Sequence, residues 1–226
     1  SSISLFGQEA EQTFNLTNLL IMLEGTVAMM LFTGGLFMSL FATSSLIPAM
    51  LEPGNVNILI SKPVSRFQLL AGRFLGAVAI VAFNVFYLVI FSWLILSLKT
   101  GIWNFGFLLS GVMIVVTFAI LFTLMTLLGI LTRSSAFSLM LTYLILFFSP
   151  LLLQRDNIYA LLSKKIYSYI VDGLYYFLPK TAELGMMTQK LVRGVEVPGW
   201  MPLWSSLLFA AAMFILSGFL FARKDF

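Results

Sequence analysis

The chain alternates long charge-free apolar runs with short polar punctuation. Such runs lie between Glu24 and Glu52, Arg73 and Lys99, Lys99 and Arg133, Arg133 and Arg155, and Glu196 and Arg223. A helix needs roughly 20 apolar residues to cross a hydrocarbon core, and each run is long enough. The pattern predicts five spanning helices, at about 25–47, 72–98, 107–131, 137–153 and 201–222, in a single transmembrane domain covering 1–226. Strands of a membrane barrel would alternate apolar and polar residues. Segments such as FYLVIFSWLILSL do not, and a helix pairs each backbone group within its own segment. The expected class is therefore all-α and polytopic.

Two polar connections stand out. The first, 50–71, opens with the turn Glu52-Pro-Gly. Val56, Leu59 and Ile60 follow as a short apolar face, and Lys62-Pro63 breaks the segment because proline biases its predecessor away from helix. Ser65 reads as the N-cap of a helix that carries Phe67, Leu69, Leu70 and Arg73 into the second span. The result is a helix–break–helix lying on one membrane face. The same features also suit an ordinary interfacial loop held by lipid phosphates. The second connection, 154–199, places Ile158, Leu161, Leu162, Ile166, Tyr169, Ile170, Leu174 and Phe177 at helical spacing, with Lys164, Lys165 and Asp172 between them. This predicts an amphipathic interfacial helix ended by Pro179, then a second short helix from Thr181 to Val192.

Composition sharpens the class. Hydrophobic residues make up 60% of the 226 and charged residues 10%, against about 25% charged in soluble domains, with mean hydropathy +1.02. The net charge of +4 comes from basic residues that mostly flank the apolar runs. It therefore reads as lipid contact and topology rather than nucleic-acid binding. There is no Cys and no His, which excludes disulfides and thiolate metal sites and removes the commonest metal ligand and general base. No phosphate-cradling GxxxxGK[ST], no GxSxG, no HExxH and no paired intramembrane carboxylates occur. Accordingly no catalytic residue and no metal site is assigned. Glu24 is the one ionisable side chain near a span interior, and mid-bilayer burial would cost about 2.5–3.5 kcal/mol. It reads either as an interfacial carboxylate or as a substrate or gate contact. The small pairs Gly72/Gly76 and Gly218/Ala222 predict close helix packing inside the domain.

Basic residues in short loops set orientation. With the C-terminus cytoplasmic, Lys62, Arg66, Arg73, Arg133, Arg223 and Lys224 lie inside, and Lys99 is the exception among short loops. The basic residues of 154–199 then lie outside, where the rule is weaker because the loop is long. This orientation puts 50–71 in the cytoplasm, 154–199 outside, and the first residues outside. A further helix upstream is expected from that topology.

The stretch Glu52-x-Gly54, then Leu59-Ile-Ser-Lys-Pro63-Val-Ser65-Arg66-x-x-Leu69-Leu70-x-Gly72-Arg73, resembles the cytoplasmic signature of type-2 exporter ABC transporter permeases. It is most similar to the branch with the nitrous-oxide-reductase maturation permease. The Thr132-Arg-Ser-Ser turn, the Leu178-Pro-Lys-Thr-Ala-Glu stretch and the Arg-Lys-Asp-Phe end agree with it. Asn55 stands where family members often have Thr, and the family's first span is absent, matching the topological expectation. The resemblance implies a permease subunit of an ATP-driven exporter in a bacterial inner membrane, multi-pass and in contact with lipid. Two copies would pair as a homodimer or a related heterodimer, each docked on a separate ABC ATPase chain. ATP and Mg would be held by the ATPase, with no cofactor in this chain. The 50–71 segment would be the coupling helix. Glu52, Lys62, Arg66 and Arg73 would supply polar contacts, Val56, Leu59 and Ile60 the apolar face, and Gly54 and Pro63 the turns. A stand-alone secondary carrier and a non-transporting membrane anchor are the competing classes.

Overall fold

A computed structural model describes residues 16–51, 65–154 and 172–223. Every regular element among them is helical. Five helices are long and apolar enough to cross a membrane: α1 (Thr17–Met50), α2 (Arg66–Thr100), α3 (Phe105–Thr132), α4 (Ser135–Leu153) and, last in the chain, α6 (Met201–Arg223). The shorter α5 (Thr181–Val192) precedes α6. Two of the five long helices begin before the apolar run that locates them in the sequence. α1 begins at Thr17 rather than near Gly25, and α2 at Arg66 rather than near Gly72. The physical reason is that a charge ends an apolar count, whereas a helix continues until its backbone is capped. Ser65 caps α2 through a capping box: its hydroxyl accepts from Gln68 N–H, and its own N–H donates to Gln68 Oε1 at 3.0 Å. Gly101, with φ 74°, closes the other end of α2.

α3 is the centre of the bundle and contacts each of the other helices. Residues on all its faces are buried, including Phe107, Phe118, Ile120, Leu121 and Phe122. Its polar residues are accommodated locally. Ser110, Thr117, Thr123 and Thr126 each donate to a carbonyl three or four residues back in α3, at 2.6 to 2.8 Å. Small residues admit neighbours: Gly129 lies against Ile47 and Pro48 of α1, and Gly111 against Phe86 and Val89 of α2.

α1 buries one stripe: Leu20, Glu24, Ala28, Phe32, Leu36 and Leu40. These positions step by four residues. At about 3.6 residues per turn each step overshoots a full turn by about 40°, so a straight α-helix would rotate the stripe out of the core. A π-helical turn at Leu31–Gly35 accommodates an extra residue and brings Leu36 and Leu40 back to face α3.

The bundle has two ends. At one, Arg66 donates to Ala222 O at 3.3 Å and Phe67 lies over Gly218, joining α2 to α6. The packing expected at Gly218 is present. That expected at Gly72 and Gly76 is not: a Cβ at either position would meet nothing within 4 Å. Small residues permit close approach without supplying a partner, and no described helix lies over this face. At the other end, α5 does not sit on top of the helices. Lys180 N–H donates to Ser206 Oγ at 3.0 Å and Ala182 N–H to Ser149 Oγ at 2.9 Å. Both serines lie about a turn inside the ends of α6 and α4. The start of α5 is thus sunk between spans although its sequence lies in a connection, because flanking serines satisfy amides that lipid could not.

Candidate functional site

α5 closes one side of a groove whose other walls are α1 and α4. The groove has a volume of about 740 Å³ and is open along one side. Met29, Phe37, Phe147, Pro150 and Met186 supply apolar wall, and Thr33, Thr181 and Gln189 its few polar groups. Among the described residues no charged side chain lines it. Its size lies within the range of small-molecule sites, and its lining of apolar surface with a few polar groups is typical of them. The π-turn forms part of the α1 wall, contributing Phe32, Thr33 and Gly34. Just beyond the turn, Tyr143 of α4 stacks on Phe37 at 4.2 Å between centroids and donates its hydroxyl to Phe37 O at 2.6 Å. The wall is therefore braced at the point where the helix changes register. Such a groove can hold an apolar or amphipathic molecule. Among the described residues no cluster of metal-ligating side chains exists.

A polar joint lies where α1, α2, α3 and α5 meet. Asn104 caps α3 by accepting from Gly106 N–H at its Oδ1, 3.0 Å. Its Nδ2 donates to Glu24 Oε2 at 2.6 Å and to Val192 O, at the end of α5, at 2.8 Å. Its backbone oxygen accepts from Trp93 Nε1 of α2 at 3.0 Å. Gly106 is required here by close approach: a Cβ would lie 2.1 Å from Leu191 O. Glu24 is 0% exposed, and its second oxygen, Oε1, is buried without a hydrogen-bond partner. Glu24 is buried within the chain because α1 begins a further two turns before it and α5 covers it.

At the opposite end of α5, Lys180 is 5% exposed. Its ammonium lies over the ring of Tyr175 at 4.4 Å, and Tyr175 donates its hydroxyl to Glu183. Aromatic faces and a local carboxylate hold this turn, with Pro179 buried beside it.

Of the residues singled out in the sequence, Glu52, Gly54, Val56, Leu59, Ile60, Lys62 and Pro63 lie outside the described residues. Arg66 ties α2 to α6. Arg73 lines a shallow groove of about 420 Å³ with Leu46, Gly72, Gly76 and Ile80, on the open small-residue face. Glu24 is far along α1 from both arginines, in the joint. Sequence reading passed over Asn104, the π-turn and Lys180. Asn104 was detectable as a capping residue directly before an apolar run, and Gly34-Gly35 as a weak point within a span. Nothing in the sequence marks Lys180 as buried.

A family model described as "ABC-2 family transporter protein" matches residues 2–226. No curated protein and no solved structure matches the chain.

Proposed function

Since the chain belongs to the ABC-2 family of transporter proteins, and is thus a multi-pass permease subunit of an ABC transporter, we propose that it works as an exporter driven by a separate ATPase chain. Two permease copies pair, and each docks on one ATPase, which holds ATP and Mg. The 50–71 segment is the docking element, on the cytoplasmic side of a bacterial inner membrane. The motif from Leu59 to Arg73 supports assignment to the branch containing the nitrous-oxide-reductase maturation permease. The α1–α4–α5 groove is the path for an apolar or amphipathic cargo.

The observation that carries this reading is the course of α1. This one span supplies the groove wall at Met29–Met38 and, after a turn at Ser44–Ser45, ends at Met50, where the proposed docking segment begins. A displacement of that segment is delivered to the groove through a helix whose π-turn is the natural place to bend. Nucleotide acts by favouring one groove shape over another, since a ligand shifts an equilibrium only by its differential affinity for the two states.

The test is biochemical. A P-loop ATPase should co-purify with the chain from detergent, and its activity should rise with cargo. Arg66→Glu, or Leu59→Asp with Ile60→Asp, should abolish that stimulation and leave the helices folded. Failure of any ATPase to co-purify, or stimulation unchanged in these variants, would refute the reading.

A further inference from the structure

We propose that the α1–α4–α5 groove holds one acyl chain of a membrane phospholipid, with the lipid's phosphate on Lys190 and Arg193 at the groove mouth. The proposal deepens the cargo assignment above and rests on it for which leaflet the groove faces.

The length of the groove fits one leaflet. α1 walls it from Met29 to Met38, a rise of about 13.5 Å along a helix. A hydrocarbon core of about 30 Å gives each leaflet about 15 Å. α1 runs toward the docking segment, so Met38 is the deep end and Met29 the end nearer the outer surface. α5 rises beside it in the opposite sense. Gly185 lies against Phe32, and Val192 is bonded to Asn104, which also holds Glu24, further outward on α1. The end of α5 is therefore the groove mouth.

The polarity of the groove changes at that mouth. Below it the wall is apolar, and Met29, Met38 and Met186 are unbranched side chains that adapt to an irregular occupant. Met186 and Gln189 line the groove. Lys190 and Arg193 continue the same face of α5 at spacings of three and four residues. Lys190 is half-buried, and Arg193 is exposed where the helix ends. An uncharged slot of leaflet depth under two cations is complementary to a molecule with an apolar tail and an anionic head. The leaflet itself supplies such molecules, and a phosphate accepts charge-assisted hydrogen bonds from Lys and Arg. The two cations also belong to the connection placed outside, where the orientation rule does not call for positive charge. Their simpler role is to complement the dipole at the end of α5, and the binding test separates the two.

Binding is read by native mass spectrometry of the purified full chain in maltoside micelles. The chain is titrated with dioleoylphosphatidylglycerol and with dioleoylglycerol, which has the same acyl chains and no phosphate. The parent should retain the phospholipid more tightly. Lys190→Gln with Arg193→Gln should weaken phospholipid binding about thirtyfold, from about fivefold per cation, and leave dioleoylglycerol binding unchanged. Gly34→Leu puts a side chain into the groove. A Cβ at Gly34 meets nothing within 4 Å, so the helix is not strained, and both lipids should be lost. Gly76→Leu, equally unobstructed on α2, should bind both as the parent does. Melting temperatures are read alongside. If Gly34→Leu does not fold, the charge pair carries the test.

Phospholipid retained at parent affinity in folded Gly34→Leu overturns the proposal, as does an equal loss in Gly76→Leu. So does a double charge variant that binds phospholipid like the parent. If that variant also melts lower, the cations serve the helix dipole alone. Loss of lipid as the chain dimerises across the groove assigns the face to a second copy and overturns the lipid site. None of these readouts needs an ATPase. A missing ATPase partner would sink the permease reading and leave the lipid site standing without its leaflet. Unchanged lipid binding in the variants, with an ATPase co-purified, would sink the lipid site alone.

Discussion

Gly106→Ala offers the most direct check of the packing that seats α5. The added Cβ would stand 2.1 Å from Leu191 O and 3.1 Å from Leu191 C, against a floor near 3.0 Å for real Cβ contacts. The obstruction is backbone, so no rotamer change relieves it. The end of α5 must retreat by about 0.9 Å merely to reach that floor. A retreat of this size carries the 2.8 Å Asn104–Val192 bond past the usual hydrogen-bonding range. Overpacking of this kind costs about 1–3 kcal/mol, and loss of the bond adds about 1 kcal/mol. Gly218→Ala is the matched control. There the Cβ would meet ring atoms of Phe67 at 2.6 and 2.8 Å, nominally also a clash. But Phe67 is 48% exposed and can swing outward, while alanine in a helix interior gains about 0.8–1.0 kcal/mol over glycine. The expected outcome is a near-neutral Gly218→Ala. Gly106→Ala should melt well below the parent, at roughly 2–4 °C per kcal/mol for a chain of this length. The assay is thermal unfolding of purified protein followed by tryptophan fluorescence and by monodisperse elution. A Gly106→Ala protein that melts with the parent, or a larger drop for Gly218→Ala, would refute the reasoning.

Two further outcomes follow from the caps and braces. Ser65→Ala removes one half of the capping box at the start of α2 and should cost about 1 kcal/mol. Amide hydrogen exchange should quicken at Phe67 and Gln68 and stay unchanged beyond the second turn; uniform protection would show that the box is not what holds this end. Tyr143→Phe keeps the stack on Phe37 and deletes the bond to its carbonyl, for about 1 kcal/mol. A fall in melting temperature beyond that of Ser65→Ala would mean that the π-turn depends on Tyr143 for more than one hydrogen bond.

How much of this was legible beforehand depends on what each feature needs. The capping of α2 by Ser65 was readable because the pattern is local: a serine, then a glutamine three residues on, then an apolar run. The bounds of α5 were readable for the same reason, from Pro179 before it and the polar stretch after Val192. The centrality of α3 was not. In a membrane every span is apolar all round, so the contrast that marks a buried helix in water is absent, and only the density of small and hydroxyl residues along α3 hints at it. Glu24 was noticed as an oddity, yet its partner lies 80 residues away, and its burial depends on a helix that the sequence assigns to a loop.

By itself, then, the sequence determined what short-range chemistry can settle. Apolar run length dictates helices that cross a membrane, and local caps such as Ser65 and Gly101 dictate where they start and stop. Tertiary structure alone decided which helix is central, that Gly106 must be a glycine, that α1 needs a π-turn to keep one face buried, and that Asn104 gathers Glu24, Trp93 and Val192 into one joint. The physical reason is range. Hydrophobic length and capping are summed over neighbours in the chain, whereas a close backbone approach and a shared hydrogen-bond donor exist only once distant segments have been brought together.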